Sequence, residues 1–323
     1  MSRPVASVSL DTDNLWSYLK VHGDAGWEAY PSYLARLVPR ALDALDQLDL
    51  RITFFIVGRD AAQAPDRGVL RSLTGAGHEI GNHSYLHEPW LHRYTPAEID
   101  AEIARAHDAI AEATGMEPSG FRGPGFSWSP DLLEALAARG YQYDASTLPT
   151  FIGPLARAYY FRTARLSPDE RRDRVMLFGR FSEGFRPVRP YEWSLPSGKR
   201  LLEIPVTTMP GLRVPFHLTY LLYLARVSEP LMRTYLRTAL AVCRLAGIGP
   251  SFLLHPLDLL SGDEVPELRF FPGMDLPSER KRALFVQVLT MLRDHFTLAP
   301  MGVHAAAIRE RAGVRVLRPL AAN

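Results

Sequence analysis

The 323 residues are too few for three average domains and suit one large α/β domain of about 250 residues with additions. Hydrophobic residues at 47% and charged residues at 22% exclude a disordered chain, and a net charge of +2 excludes a generic polyanion binder. The single cysteine, Cys243, excludes an intrachain disulfide framework and a multi-cysteine zinc site, and fits a reducing compartment.

The opening MSRPVASVSLDTD reaches acidic residues before any apolar run of leader length. No stretch approaches about 20 apolar residues, so no spanning helix is expected. A cytoplasmic location follows as an expectation, with peripheral contact at the inner face of the cell membrane as its extension. Ala6–Leu10 reads as a buried strand ending at Asp11-Thr12-Asp13. Tyr33 to Leu48 carries apolar residues at helical spacing, with Pro39 at a start or kink. Arg51–Val57 is β-branched and aromatic, a strand stopped by Gly58, and one helix then runs to about Leu73.

His78–Asn82 is the next strand. Thr95 with Glu98 forms a capping box that opens a helix closed by Gly115. Phe121-Arg122 ends a strand, Ser129-Pro130 opens a helix stopped by Gly140, and Tyr141–Tyr143 leads to Asp144. Alternation at this spacing means βαβ units and a parallel sheet or barrel. The pattern breaks over residues 150–199, read as an insertion. A strand returns at Leu201–Val206, with helices over 217–226 and 229–246, a strand at Ser251–Leu254, a helix over 278–295 and a closing strand at Phe296–Leu298.

Polar residues cluster where strands end: Asp11, Asp13, His83, His87, Arg122, Asp144 and His255. In parallel α/β folds the carboxyl ends of strands share one face, and sites sit there. His83 and His87 are four apart, a spacing that on one helical turn aims both rings the same way. Two histidines and a carboxylate suffice for a catalytic divalent ion, although such a pair equally suits ordinary surface or core-capping histidines. Asp11 and Asp13, alternate residues of an extended segment, can face one site; a turn and helix cap is the plainer alternative. His92 suits a solvated loop, His107, His217, His295 and His304 lack ligand spacing, and Cys243 suits an inert core position.

Asp11-Thr12-Asp13, the run GHEIGNHSYLH from Gly77 to His87, Arg122-Gly-Pro-Gly-Phe126, Tyr143-Asp144-Ala-Ser and Leu253-Leu-His255-Pro256 resemble the five ordered motifs of the polysaccharide deacetylase family, the NodB-homology or carbohydrate esterase family 4 group. The resemblance spans about residues 5–149 and 200–300. It implies a distorted (β/α)7 barrel and metal-dependent hydrolysis of N-acetyl or related amides. Carried over, Asp13, His83 and His87 bind the metal, Asp11 is the general base and Arg122 orients it. His255 is the general acid, and Asp144 supports Arg122 or the acid. Trp16, Gly125, Phe126, Trp128 and Leu254, in or beside these motifs, are expected to line the substrate. Zinc is the expected ion, with cobalt, nickel or iron open. The family's usual first motif has two adjacent aspartates, whereas position 12 here is Thr, which makes Asp13 and not residue 12 the metal ligand. The resulting DxD form resembles a branch with peptidoglycan-deacetylase-like proteins, allantoinase-related cyclic-amide hydrolases and deformylases of lipid-linked aminosugars.

From Arg157 to Arg200 eleven Lys/Arg face five Asp/Glu, +6, interleaved with eight aromatics. Arginine pairs bidentately with phosphate, and aromatics stack on sugars or cover acyl chains; a solvated basic lid docked on the barrel accounts for the same composition. Arg233, Arg237 and Arg244 fall within about 40° of each other at 100° per residue, a stripe suited to an anionic membrane surface or to plain solvation. The sequence therefore predicts one domain over 1–323 in which 150–199 forms a lid or groove wall. The expected activity is removal of N-acetyl or N-formyl from an aminosugar, free or lipid- or polyprenyl-phosphate-linked. A cyclic-amide hydrolase and a non-catalytic sugar- or lipid-binding module are the alternatives, and nucleic acid is not an expected partner.

Overall fold

The computed structural model describes residues 3–164, 166–173, 181–311 and 313–319. Ten strands follow in chain order: β1 (Val5–Asp11), β2 (Thr53–Ile56), β3 (Glu79–Asn82), β4 (Gly120–Phe121), β5 (Tyr143–Asp144), β6 (Tyr191–Ser194), β7 (Arg200–Glu203), β8 (Ser251–Leu254), β9 (Thr297–Ala299) and β10 (Arg315–Leu317). β1 pairs in parallel with β2 and β8, and the parallel order continues through β3, β4, β5 and β7. Beyond β7 the chain stays extended. Ile204 and Val206 donate to the carbonyls of Asp144 and Thr147, both at 2.9 Å. Thr207 N then donates to Ser251 O at 3.0 Å, and Thr207 Oγ1 accepts from Ser251 N at 2.8 Å. That junction joins the far side of the sheet to β8 and closes seven parallel strands into the expected distorted (β/α)7 barrel. β6 folds back antiparallel on β7, β10 adds to β6, and β9 pairs with the start of β1.

Strand alternation sorts the residues between the two barrel faces. In β1, Ala6, Val8 and Leu10 pack outward into the large core shared with the helices. Ser7, Ser9 and Asp11 point inward, where Ser7 meets His304 and both Ser9 and Asp11 meet Arg122. The narrow interior leaves no room for a side chain at some positions. A Cβ on Gly81 would lie 2.4 Å from the Phe55 ring, and one on Gly120 would lie 2.0 Å from the Tyr143 ring. The floor is filled by helix Met301–Arg309, whose Met301, Ala305 and Ile308 pack on Phe55, Tyr143 and Ile204.

The capping box is present as expected: the Thr95 side chain accepts from Glu98 N, and Glu98 Oε2 accepts from Thr95 N at 2.8 Å. The long helix it opens runs Pro96–Thr114 with Gly115 in the left-handed region. The single helix expected after Gly58 is instead two, Gly58–Ala62 and Ala64–Gly75: Gln63 is extended between them, and Pro65 has no N–H to donate back into the first. Helices Leu15–His22 and Met301–Arg309 were not predicted; both are short, and neither shows a long apolar period.

The 150–199 stretch, read as aperiodic, contains helices Gly153–Thr163 and Pro168–Asp173, and its end, β6, enters the sheet. Phe151, Phe181 and Phe185 form a ring cluster in it, with Phe181 57% and Phe185 73% exposed. Of the basic and aromatic residues counted there, Arg165, Arg174, Phe178 and Arg180 lie outside the described residues. On helix Glu229–Leu245, Arg237 and Arg244 are exposed opposite buried Met232, Leu236, Leu240 and Cys243. No helix among the described residues is long and apolar enough to cross a membrane.

Candidate metal centre and active site

Strand ends carry the site, and local hydrogen bonds aim it. After β1, Thr12 turns away: its amide and its Oγ1 both donate to the Phe55 carbonyl at 2.9 Å. Asp11 and Asp13 are left on either side of it. Asn14 then caps helix Leu15–His22 through its Oδ1, which accepts from Leu15 N at 2.8 Å and Tyr33 N at 3.0 Å.

Asp13 Oδ1 lies 3.1 Å from Nε2 of His83 and 3.1 Å from Nε2 of His87. The two imidazoles do not converge on a helical turn, as the spacing suggested. β3 ends at Asn82, and the loop carries Ser84 at φ 59° and His87 at φ 50°. Side chains rather than helical carbonyls satisfy its amides. Asn82 Oδ1 accepts from Ser84 N at 2.9 Å, and Glu102 Oε1 accepts from Tyr85 N and Leu86 N at 2.9 and 2.6 Å.

His83 Nδ1 lies 2.6 Å from the Arg122 carbonyl, which can only accept. The ring proton therefore sits on Nδ1, and in the neutral ring Nε2 presents a lone pair to a carboxylate oxygen. Facing acceptors call for a cation between them, and one carboxylate with two imidazoles is a donor set suited to a divalent metal. The donor atoms of Asp13, His83 and His87 all lie within 4.8 Å of one another. Burial alone would raise the Asp13 carboxyl, but His87 and His83 outweigh it and hold the group well below the usual carboxylate range.

Asp11 is 4% exposed and Arg122 fully buried. Arg122 Nη1 donates to Asp11 Oδ1 at 2.7 Å and to Ser9 Oγ at 2.8 Å, while Nε reaches the Ala145 carbonyl at 3.2 Å. Its guanidinium also lies 4.4 Å over the Phe55 ring. The pair is thus held by hydrogen bonds on several sides, which a buried charge requires. Asp144 accepts from Ser146 Oγ at 2.5 Å, and the Ser146 oxygen in turn accepts from Gly123 N at 2.8 Å. It acts on Arg122 through charge, not through a direct hydrogen bond. Its neighbour Glu203 was not singled out in the sequence. Burial, then the Asp144 charge, hold Glu203 well above the usual carboxylate range.

His255 follows β8, and its Nδ1 lies 3.1 Å from Thr219 Oγ1. Thr219 donates its one hydroxyl proton to Asp258 Oδ1 at 2.8 Å, so its oxygen accepts from His255 Nδ1–H and leaves Nε2 as the working nitrogen. Asp258 Oδ2 also accepts from His255 N at 2.8 Å. His217, set aside in the sequence for its spacing, is buried with its ring centroid 5.6 Å from that of His255. Burial, then the charges of His255 and Arg122, hold it neutral, well below the ordinary imidazole range. Tyr18 stays a neutral phenol beside Asp13, raised by burial and then by that charge. No motif signals Thr219, Asp258, His217, Tyr18 or Glu203; contacts alone reveal them.

Of the residues expected to line the substrate, Gly125 is exposed and Phe126 and Trp128 are half-buried. Trp128 stacks on Trp193 with centroids 5.2 Å apart. Trp16 and Leu254 are fully buried, and the Trp16 indole donates to Asp60 Oδ1 at 2.7 Å. That carboxyl is pushed up to about 7, first by burial.

A parallel barrel with a two-histidine, one-aspartate cluster at the carboxyl ends of its strands defines a barrel with a candidate metal site. Residues 24–143 match the family model of polysaccharide deacetylases. Asp11, Asp13, Asp144 and His255 lie outside the matched stretch. A chitooligosaccharide deacetylase from Bradyrhizobium sp. (strain ANU 289) is 36% identical over 103 residues, 32% of this chain and 46% of the relative. A peptidoglycan deacetylase from Helicobacter pylori is 28% identical over 125 residues, 39% of this chain and 40% of the relative. The chain thus spans less than half the length of either. Among solved structures, a Mycobacterium smegmatis protein with a provisional polysaccharide deacetylase name superposes with TM-score 0.60 at 20% identity, over 100% of this chain and 94% of that one. PuuE allantoinase superposes with TM-score 0.57 at 17% identity, over 96% and 92%. Both likenesses concern the fold.

Proposed function

We propose that the chain is a metal-dependent amide hydrolase that removes an N-acetyl or N-formyl group from an aminosugar. One observation carries this reading: one Asp13 oxygen lies 3.1 Å from an imidazole nitrogen of both His83 and His87, with Asp11 and His255 on neighbouring strand ends. Asp13, His83 and His87 would hold the cation, which supplies Lewis acidity that polarises an amide carbonyl and acidifies water. Zinc suits the donor set best. Asp11, fixed at one oxygen by Arg122, takes the proton from the attacking water. His255, fixed at Nδ1 by Thr219, delivers a proton from Nε2 to the departing amine, which is too poor a leaving group as an anion. Base and acid must hold opposite protonation states together, so kcat/KM passes through a maximum with pH.

The deacetylase names of the two relatives support an acetylated aminosugar as substrate. The exposed phenyl rings of Phe181 and Phe185, in a stretch rich in arginine, support an amphiphilic, phosphate-bearing form of it, met at the inner face of the cell membrane. Mass spectrometry of products from the zinc-loaded chain, incubated with free and lipid-linked acylated aminosugars, checks the reading. Loss of one acetyl or formyl mass is the expected result. Opening of a cyclic ureide with all aminosugars untouched would replace this reading with the allantoinase-like one.

A further inference from the structure

A cavity of about 470 Å³ lies where the loops 187–191 and 210–213 meet the entry to β8, helix Met301–Arg309 and β10. It shares no residue with the cluster around Asp13 and His255. Arg189, Arg213, Arg311, Arg315 and His304 line it, and among the described residues no Asp or Glu does. Elsewhere Arg40, Arg67, Arg139, Arg200, Arg226 and Arg280 each face a carboxylate. Arg189 and Arg213 donate instead to the carbonyls of Ala246 and Arg186, the latter at 2.7 Å, and so fix the walls. The side chains of Arg311 and Arg315 make no hydrogen bond or ion pair among the described residues. His304 is 2% exposed and anchored by Ser7 Oγ at 2.9 Å from its Nδ1. Burial, then Arg311, hold it neutral, so the wall adds an imidazole without a fifth charge. The remaining lining includes apolar Val188, Ile248, Ile308 and Val314.

We infer that this cavity is a binding site for a small phosphate ester or diphosphate, separate from the metal cluster. Four guanidinium groups around one concavity repel one another, and an anion between them removes that repulsion. The planar fork of arginine matches phosphate oxygens bidentately, and the cavity volume falls among those of small-ligand sites. The apolar wall suits a ligand that carries an organic group beside its phosphate. The site stands independently of the hydrolase reading.

Calorimetric titration of the full chain with inorganic pyrophosphate at low salt tests the site, and co-sedimentation with phosphatidylglycerol or phosphatidylcholine vesicles tells the source of the phosphate. The expected result is saturable binding with one pyrophosphate per chain. It weakens at least about tenfold in Arg311→Glu/Arg315→Glu, and by a smaller factor in the milder Arg311→Gln/Arg315→Gln pair, each variant unfolding at the wild-type temperature. Asp13→Ala, in the other site, retains it. Recruitment to phosphatidylglycerol vesicles that pyrophosphate competes away, and that the Glu pair loses, assigns a lipid headgroup; pyrophosphate binding with no recruitment assigns a soluble phosphate ester. Absence of both, or pyrophosphate binding that survives both paired variants unchanged, overturns the inference.

Discussion

Thr219 has one hydroxyl proton and gives it to Asp258, and this decides which nitrogen of His255 is left to act. Thr219→Val breaks the chain of donors while keeping the volume. Its kcat should fall about tenfold or more, its zinc affinity should hold, and Thr219→Ser should restore the rate; steady-state kinetics beside a zinc titration read all three. Arg122→Ala is a different case. It leaves Asp11 as a buried charge without its cation and should cost about 3–5 kcal/mol, visible as a lowered urea midpoint. Asp13, His83, His87, Arg122 and His255 were legible in the sequence because each stands in a short run at a strand end. Thr219, Asp258 and Glu203 were not, since each gains its role from a partner on another element, and a lone threonine or carboxyl has no spacing to read. Thr219 meets His255 across 36 positions and Glu203 meets Thr147 across 56.

Elements whose instructions are local were readable. Thr95 and Glu98 satisfy each other's amides within one turn, so the start of the Pro96–Thr114 helix is written in four consecutive residues. Thr95→Ala should destabilise the chain by about 1 kcal/mol in chemical denaturation. Helix Met301–Arg309 is held by contacts instead: Met301 N donates to Thr53 Oγ1 at 2.7 Å and Gly302 N to Glu79 Oε2 at 2.8 Å. Its nine residues, MGVHAAAIR, are too few to announce it: Met301, Ala305 and Ile308 crowd the floor of the barrel while Val303 is exposed. The same crowding sets the demand at Gly81. Gly81→Ala would push its methyl group into the Phe55 ring and should cost about 1–3 kcal/mol, measured as a shift in melting temperature.

At the scale of the molecule, alternating periods announced a parallel barrel, but not how it closes. Closure rests on the pairing of Thr207 with Ser251, between a stretch that belongs to no named strand and the first residue of β8. The polar interior of the barrel was hidden as well, since Ser9 and Asp11 meet Arg122, and Ser7 meets His304, only after the ring has formed. Burial has a pH consequence. His78 is 2% exposed and lowered to about 4, first by burial and then by the Arg51 charge. Unfolded, it titrates near 6.5. Its neutral form in the fold is therefore fully favourable above about pH 6.5, and that contribution is lost as pH falls toward 4. Urea titrations across this range should show a shallower acid decline in His78→Gln than in the wild type.

The central claim is that one divalent ion, held by Asp13, His83 and His87, equips this barrel for hydrolysis. Zinc titration by calorimetry, with elemental analysis of the dialysed protein, tests it most directly. The account predicts one zinc per chain in the wild type and none retained by Asp13→Ala, with the fold intact by circular dichroism. A full equivalent of zinc in Asp13→Ala, bound as tightly as in the wild type, would contradict it.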